Sequence, residues 1–362
     1  MLKGRTFRVL VTSFCLLLIT VGTITQGRRV RASATDPTTR PTPIQTEYDS
    51  LSTDLEPLTY LANKESGVRT NASTTGFTTH FRTWLQANGY GSYNFERDDL
   101  VGGSYGGKAS SADTVVNQPV IFIHGNSDKA VGSTAGQTGW TASIDYFLAQ
   151  GYKTSEVYAT TWGPADPLLS PYQYHSKTYL TKIRAFIQAV KAYTGATKVD
   201  VVCHSMGVTL ARKAIKGGSA NDALEGGAYN LGSSLTSSVD TFVGIAGANW
   251  GLTSCYQTNG STPTCAVTNG LYPGYYYGPL GLSNILTDIN ATSHYEGTYV
   301  YTIWSTVDEV VGYGSIVWGQ YTCQIPGQNG EKRYTAAPYG HFNCKDLTPY
   351  YQLRMVKYHS TT

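Results

Sequence analysis

The stretch from Lys198 to Gly218 constrains this chain more than any other. Val199-Asp200-Val201-Val202-Cys203 is rich in β-branched side chains and reads as a buried strand. From Met206 onward, Leu210, Ala211, Ala214 and Ile215 share one helical face. Gly217-Gly218 then gives a helix stop. Only a sharp turn, Cys203-His204-Ser205-Met206-Gly207, separates the two elements. A serine fixed there projects its hydroxyl over the sheet, and the helix N-terminus offers its amide dipoles to a developing oxyanion. The plain alternative is a serine that caps the helix.

The turn departs from the pattern G-x-S-x-G, because Cys203 stands at the first glycine. A literal match occurs at Gly102-Gly103-Ser104-Tyr105-Gly106, between the charged run Glu96-Arg97-Asp98-Asp99 and the polar Gly107-Lys108-Ala109-Ser110-Ser111. No strand is read into it and no helix out of it. Such a motif works only between those elements, so Ser104 is read as loop.

The surrounding chain alternates strands with helices. Pro119 to Ile123 is an unbroken apolar run, as expected of a central parallel strand. Helices are read over Trp140–Gly151, Lys177–Tyr193 and Pro349–Tyr358, and strands over Glu156–Thr160, Thr241–Ile245 and Tyr299–Trp304. This order indicates an α/β fold with a doubly wound, mostly parallel sheet and helices on both faces. Residues 251–293 break the pattern with glycine, proline and Tyr275-Tyr276-Tyr277. They read equally as a lid and as a stapled surface excursion.

A catalytic serine on this fold needs an oxyanion loop before it, then an acid, then a histidine. His124-Gly125-Asn126 directly follows the apolar run, so its turn can present the Asn126 amide, with the Met206 amide as second donor. His124 itself reads as a structural turn residue. Asp308 follows the strand ending at Trp304-Ser305, and Glu309 is its immediate competitor. Of seven histidines, His341 has the right place. His80 and His175 precede the elbow, His294 precedes the acid, His204 is expected to face away from the triad, and His359 to fray at the C-terminus.

Composition narrows the class. Charged residues make up 14%, against roughly 25% in an average soluble domain. No basic cluster interleaves with aromatics, which argues against nucleic acid as a partner. Lys3, Arg5 and Arg8 precede an uncharged stretch from Val9 to Thr25, and Ala32-Ser33-Ala34 offers a cleavage site. Residues 1–34 read as a signal peptide, hence secretion to the extracellular space and no membrane span in the mature chain. Their removal takes away six basic residues and no acidic one, turning a formal +3 into −3. Residues 35–50 read as a Pro/Thr-rich linker and 51–362 as one domain. Sequons at Asn71, Asn259 and Asn290 are glycan acceptors in a eukaryotic secreted chain.

Of six cysteines, Cys15 leaves with the signal and Cys203 reads as a buried unpaired thiol under the elbow. The other four allow three pairings. The local ones, Cys255–Cys265 and Cys323–Cys344, are preferred. Each would close a short or moderate loop worth about 3 kcal/mol.

His124-Gly125-Asn126, Cys203-His204-Ser205-Met206-Gly207, Ala246-Gly247-Ala248-Asn249, Tyr301 to Asp308 and Gly340-His341 occur in this order. Together they resemble the class 2 lipases, small secreted triacylglycerol lipases of bacteria with nematode-type relatives, within the α/β-hydrolase superfamily. The resemblance runs from Phe77 to Tyr358. Cys203 and the cysteine-bearing insertion depart from the small bacterial members, and the insertion leans toward the nematode-like branch. The resemblance implies a triad of Ser205, Asp308 and His341, with no metal and no cofactor. The expected activity is ester hydrolysis through an acyl-enzyme, on a lipid or ester substrate at a lipid–water interface. The alternatives are a short-chain carboxylesterase, an acyltransferase, or a non-catalytic secreted binding protein that keeps the fold.

Overall fold

The computed structural model describes residues 75–276 and 281–362. The signal, the linker and the Asn71 sequon lie outside the described residues.

The strands that carry the site are central because their side chains are apolar on both faces. β3 (Val120–Ile123) and β7 (Val199–His204) are buried along their whole length. They pair in parallel, with Ile123 opposite Cys203. On the other side of β7 lies β10 (Val239–Ile245), which sets Ile245 opposite His204. Then come β11 (Tyr299–Ser305) and β14 (Gly330–Tyr334), both parallel. Toward the opposite edge β3 pairs with β6 (Val157–Thr160). Beyond it, β2 (Ser104–Gly106) runs antiparallel to β6, and β1 (Gly76–Phe77) runs parallel to β2. The eight-stranded order is β1-β2-β6-β3-β7-β10-β11-β14. β4 (Val131–Thr134) and β5 (Gln137–Gly139) form a separate hairpin, and two further antiparallel pairs join β8 (Ser219–Asp222) to β9 (Gly227–Asn230) and β12 (Ile316–Val317) to β13 (Gln320–Tyr321).

Alternation along the strands divides the core into two layers. Ile121, Ile123, Val201 and Cys203 join one apolar cluster with Phe186 and Leu210. Val120, Phe122 and Val202 join the other with Ile144, Phe147 and Met355. The first layer packs against α1 (Thr79–Ala87), α3 (Lys177–Thr194) and α4 (Met206–Lys216), the second against α2 (Thr141–Ala149) and α8 (Pro349–Tyr358). α3 starts where the Ser176 side chain accepts from the Tyr179 amide and stops at left-handed Gly195.

Two loop or end expectations need correction. Ser104 belongs to a strand, not a loop; the strand is too short to show a period in sequence. Its hydroxyl is buried without a hydrogen-bond partner. His359 does not fray: it stacks on Tyr299 at 3.7 Å between ring centres and meets Asp240 Oδ2 at 3.2 Å. Residues 251–293 carry α5 (Thr253–Gln257), α6 (Asn284–Asn290) and a bridge between Cys255 and Cys265. Within them, the Thr264 hydroxyl reaches the Ser170 carbonyl at 2.6 Å and that of Gln173 at 2.5 Å.

Candidate active site

Four parallel strands end on the same edge of the sheet, and each hands the chain to one part of the site. β7 ends at His204, and Ser205 follows with φ 53° and ψ −129°. A left-handed serine here is strained, held by its amide donating to the Ile245 carbonyl at 2.8 Å. Its side chain does not cap α4. The hydroxyl meets His341 Nε2 at 2.9 Å, and His341 Nδ1 meets Asp308 Oδ2 at 2.9 Å. With Nδ1–H donating to the carboxylate, Nε2 is left to accept from the serine.

Asp308, just beyond β11, is 3% exposed. Its second oxygen accepts from the amides of Val310 at 2.8 Å and Val311 at 3.0 Å. Burial alone would raise this carboxyl. The hydrogen bond and charge of His341, with the two amides, bring it below the ordinary carboxylate range. Glu309 takes a different post: its Oε2 accepts from the His341 amide at 2.9 Å. The competition between the two acids is thereby resolved by side, one on the ring and one on the main chain.

His204 does not face away. Its Nε2 donates to the His341 carbonyl at 3.1 Å, and the two rings lie 4.7 Å apart. Burial, with His341 and Lys345 nearby, pushes it well below its ordinary value, so it is neutral. Its Nδ1 has no hydrogen-bond partner. The histidine that precedes Ser205 thus tethers His341, which spacing in sequence did not signal.

The loop after β3 lies against Ser205: a Cβ placed on Gly125 would sit 2.9 Å from Ser205 Cβ. His124 is structural, its Nε2 accepting from the Trp162 amide at 3.0 Å and its Nδ1 donating to the Gly125 carbonyl at 2.7 Å. Burial lowers it to about 3. The Asn126 side chain donates to the Ser170 carbonyl at 2.9 Å and accepts from the Ser127 hydroxyl at 3.0 Å. Among the described residues, the main-chain amides of Asn126 and Met206 donate to no protein acceptor.

The second expected bridge is not formed. Cys323 and Cys344 are buried free thiols, as is Cys203. Cys344 lies on α7 (Asn343–Asp346) with its sulfur directed at the Tyr339 carbonyl, 4.0 Å away. Loop length favours a pairing but says nothing of where the thiols point.

A family model described as Lipase (class 2) matches residues 117–354. No curated protein sequence matches. Solved structures similar to this chain include Aspergillus fumigatus lipase B, at 15% identity and a TM-score of 0.41, over 67% of this chain and 50% of that one. This chain therefore spans about half the length of that lipase. Mouse alpha/beta hydrolase domain-containing protein 10 matches at 12% identity and TM-score 0.39, covering 68% and 92%. A Bacillus licheniformis lipase matches at 12% and 0.39, covering 67% and 52%. With the family model running from just before β3 to within α8, the chain belongs to the class 2 lipase family.

Proposed function

We propose that this chain is a secreted carboxylic-ester hydrolase acting on triacylglycerols through an acyl-enzyme. The observation that carries the reading is the unbroken relay from Ser205 Oγ through the His341 ring to Asp308, with 2.9 Å at each step. Ser205 attacks the acyl carbonyl as His341 Nε2 takes its proton. The imidazolium, stabilised by Asp308, passes that proton to the leaving alcohol. The Asn126 and Met206 amides receive the oxyanion, and water then releases the acyl group.

Support for a lipid rather than a small soluble ester comes from the segments that bear the site. Val307 and Val310 flank the acids, Phe342 follows His341, and Leu168 and Leu169 precede Ser170; all are exposed. An apolar fringe of this kind suits contact with a lipid surface. Secretion rests on the N-terminal pattern. Among the described sequons, Asn259 is exposed, whereas the Asn290 side chain donates through Nδ2 to the Asn249 carbonyl at 2.7 Å and accepts through Oδ1 from Arg212 at 2.9 Å. Any N-linked glycan on the described residues therefore belongs on Asn259.

Ester hydrolysis should fall by a factor on the order of 10⁶ in Ser205→Ala, with loss of fluorophosphonate labelling, while Ser104→Ala stays at wild-type rate. Activity surviving in the first variant, or vanishing in the second, would mean that another serine is the nucleophile. Wild-type protein should turn over emulsified long-chain triacylglycerol faster than a soluble short-chain ester. The reverse order would make it a carboxylesterase.

A further inference from the structure

Next to the triad lies a buried charge cluster for which the mechanism has no use. Lys345, four residues after His341, has a side chain only 1% exposed. Its ammonium donates to Asp346 Oδ1 at 2.6 Å and Thr138 Oγ1 at 2.8 Å, also contacts the Gly139 carbonyl, and lies 3.7 Å from Asp128 Oδ2. Thr138 donates in turn to the Asp346 carboxylate, at 3.0 and 2.9 Å from its two oxygens. Asp128 Oδ1 accepts from the amides of Lys129 at 2.8 Å and Gly139 at 3.0 Å. Its Oδ2 accepts no hydrogen bond, so the Lys345 ammonium is what balances it.

Thr138 and Gly139 belong to the β4–β5 hairpin, and the same hairpin grips the loop after β3. Gln137 Nε2 donates to the Ser127 carbonyl at 2.7 Å, and Gly139 holds Asp128 as above. The hairpin thus holds Ser127 and Asp128, next to Asn126, and is itself held by Lys345 and Asp346, on the segment that carries His341. Sequestering two carboxylates and one ammonium brings little net stability. What it does bring is a fixed spacing between two loops far apart in sequence.

We propose that Asp128, Thr138, Lys345 and Asp346 form a strut that sets the distance between the Asn126 oxyanion donor and the His341 base. Asp128 and Lys345 are then positioning residues for the tetrahedral intermediate. This rests on the esterase reading above. If wild-type protein fails to label with a fluorophosphonate, or Ser205→Ala stays active, that reading falls before any strut variant is made.

The test uses the full chain with rates normalised to titrated active sites, so that loss of folded protein does not enter. Asp128→Asn keeps the shape and the Oδ1 acceptor but removes the charge. It should lower kcat about tenfold to a hundredfold, leave KM for a soluble short-chain ester within about twofold, and weaken an alkylboronic acid, which forms a tetrahedral adduct on the serine, by the same factor as kcat. Lys345→Met should do the same, and the double variant should be no worse than the poorer single one. If these charge changes leave too little folded protein, Thr138→Val removes one neutral hydroxyl from the strut and should show the same parallel loss, smaller in size. Wild-type kcat per active site and wild-type boronate affinity, with only a lower Tm, would make the cluster purely structural and overturn the proposal.

Discussion

His341 is held at four points. Its ring meets Asp308 and Ser205, its amide donates to Glu309, and its carbonyl accepts from His204. The order of serine, acid and histidine was legible in sequence, because each follows an apolar strand or precedes the last helix. The main-chain tethers were not, since a side chain's grip on a distant backbone atom leaves no periodicity. Asp200 shows a second residue-scale effect. It lies inside β7, 1% exposed, and accepts from Gln118 Nε2 at 2.7 Å and the Thr241 amide at 3.0 Å. Burial outweighs these donors and pushes the carboxyl up to about 8. An unfolded Asp ionises near ~3.9, so between those values the folded state keeps a proton that the unfolded state has lost. This contribution to stability is fully present below the unfolded value and is lost as pH rises through about 8. Asp200→Asn should therefore gain in Tm relative to wild type from about pH 5 to about pH 8.5, a difference that thermal melts at both pH values would reveal. A constant offset would mean that Asp200 is ionised throughout.

At the scale of elements, the decisive contact is between the start of α4 and the loop after β3. A Cβ on Gly207 would lie 2.3 Å from the His124 carbonyl oxygen and 2.8 Å from that of Ile123, both backbone atoms. Neither can yield without moving the loop that carries Asn126. Gly207→Ala should cost about 1–3 kcal/mol in denaturant unfolding and lower kcat more than it raises KM. An unchanged rate at lower stability would show that the loop tolerates the shift. The central strands and α3 were readable because their apolar periods are long and clean. β14 was not: Gly330-Glu331-Lys332-Arg333-Tyr334 is charged, as befits a sheet edge, and lacks alternation. β1 and β2 are two and three residues long, too short for any period to register. The hairpin of β4 and β5 hid for the same reason, and with it the link between the loop after β3 and the segment that carries His341.

For the whole molecule, one sheet brings the ends of β3, β7, β11 and β14 to a common edge, as open α/β sheets do. Helices on both faces bury the layers beneath it. The cysteine pattern is tested at this scale. Without reductant, the peptides bearing Cys203, Cys323 and Cys344 should resist alkylation in the native protein and react once it is unfolded, while Cys255 and Cys265 stay bridged. Mass mapping of a linked Cys323–Cys344 peptide would restore the pairing expected from loop length.

The relay joins residues 136 positions apart. Since translation adds residues in order, the serine turn is made well before its proton acceptor exists. At roughly 5–20 residues per second, Ser205 is added on the order of ten seconds before His341. On the proposed reading, ester hydrolysis therefore has to wait until the chain has grown to within a few residues of its last helix, Pro349–Tyr358.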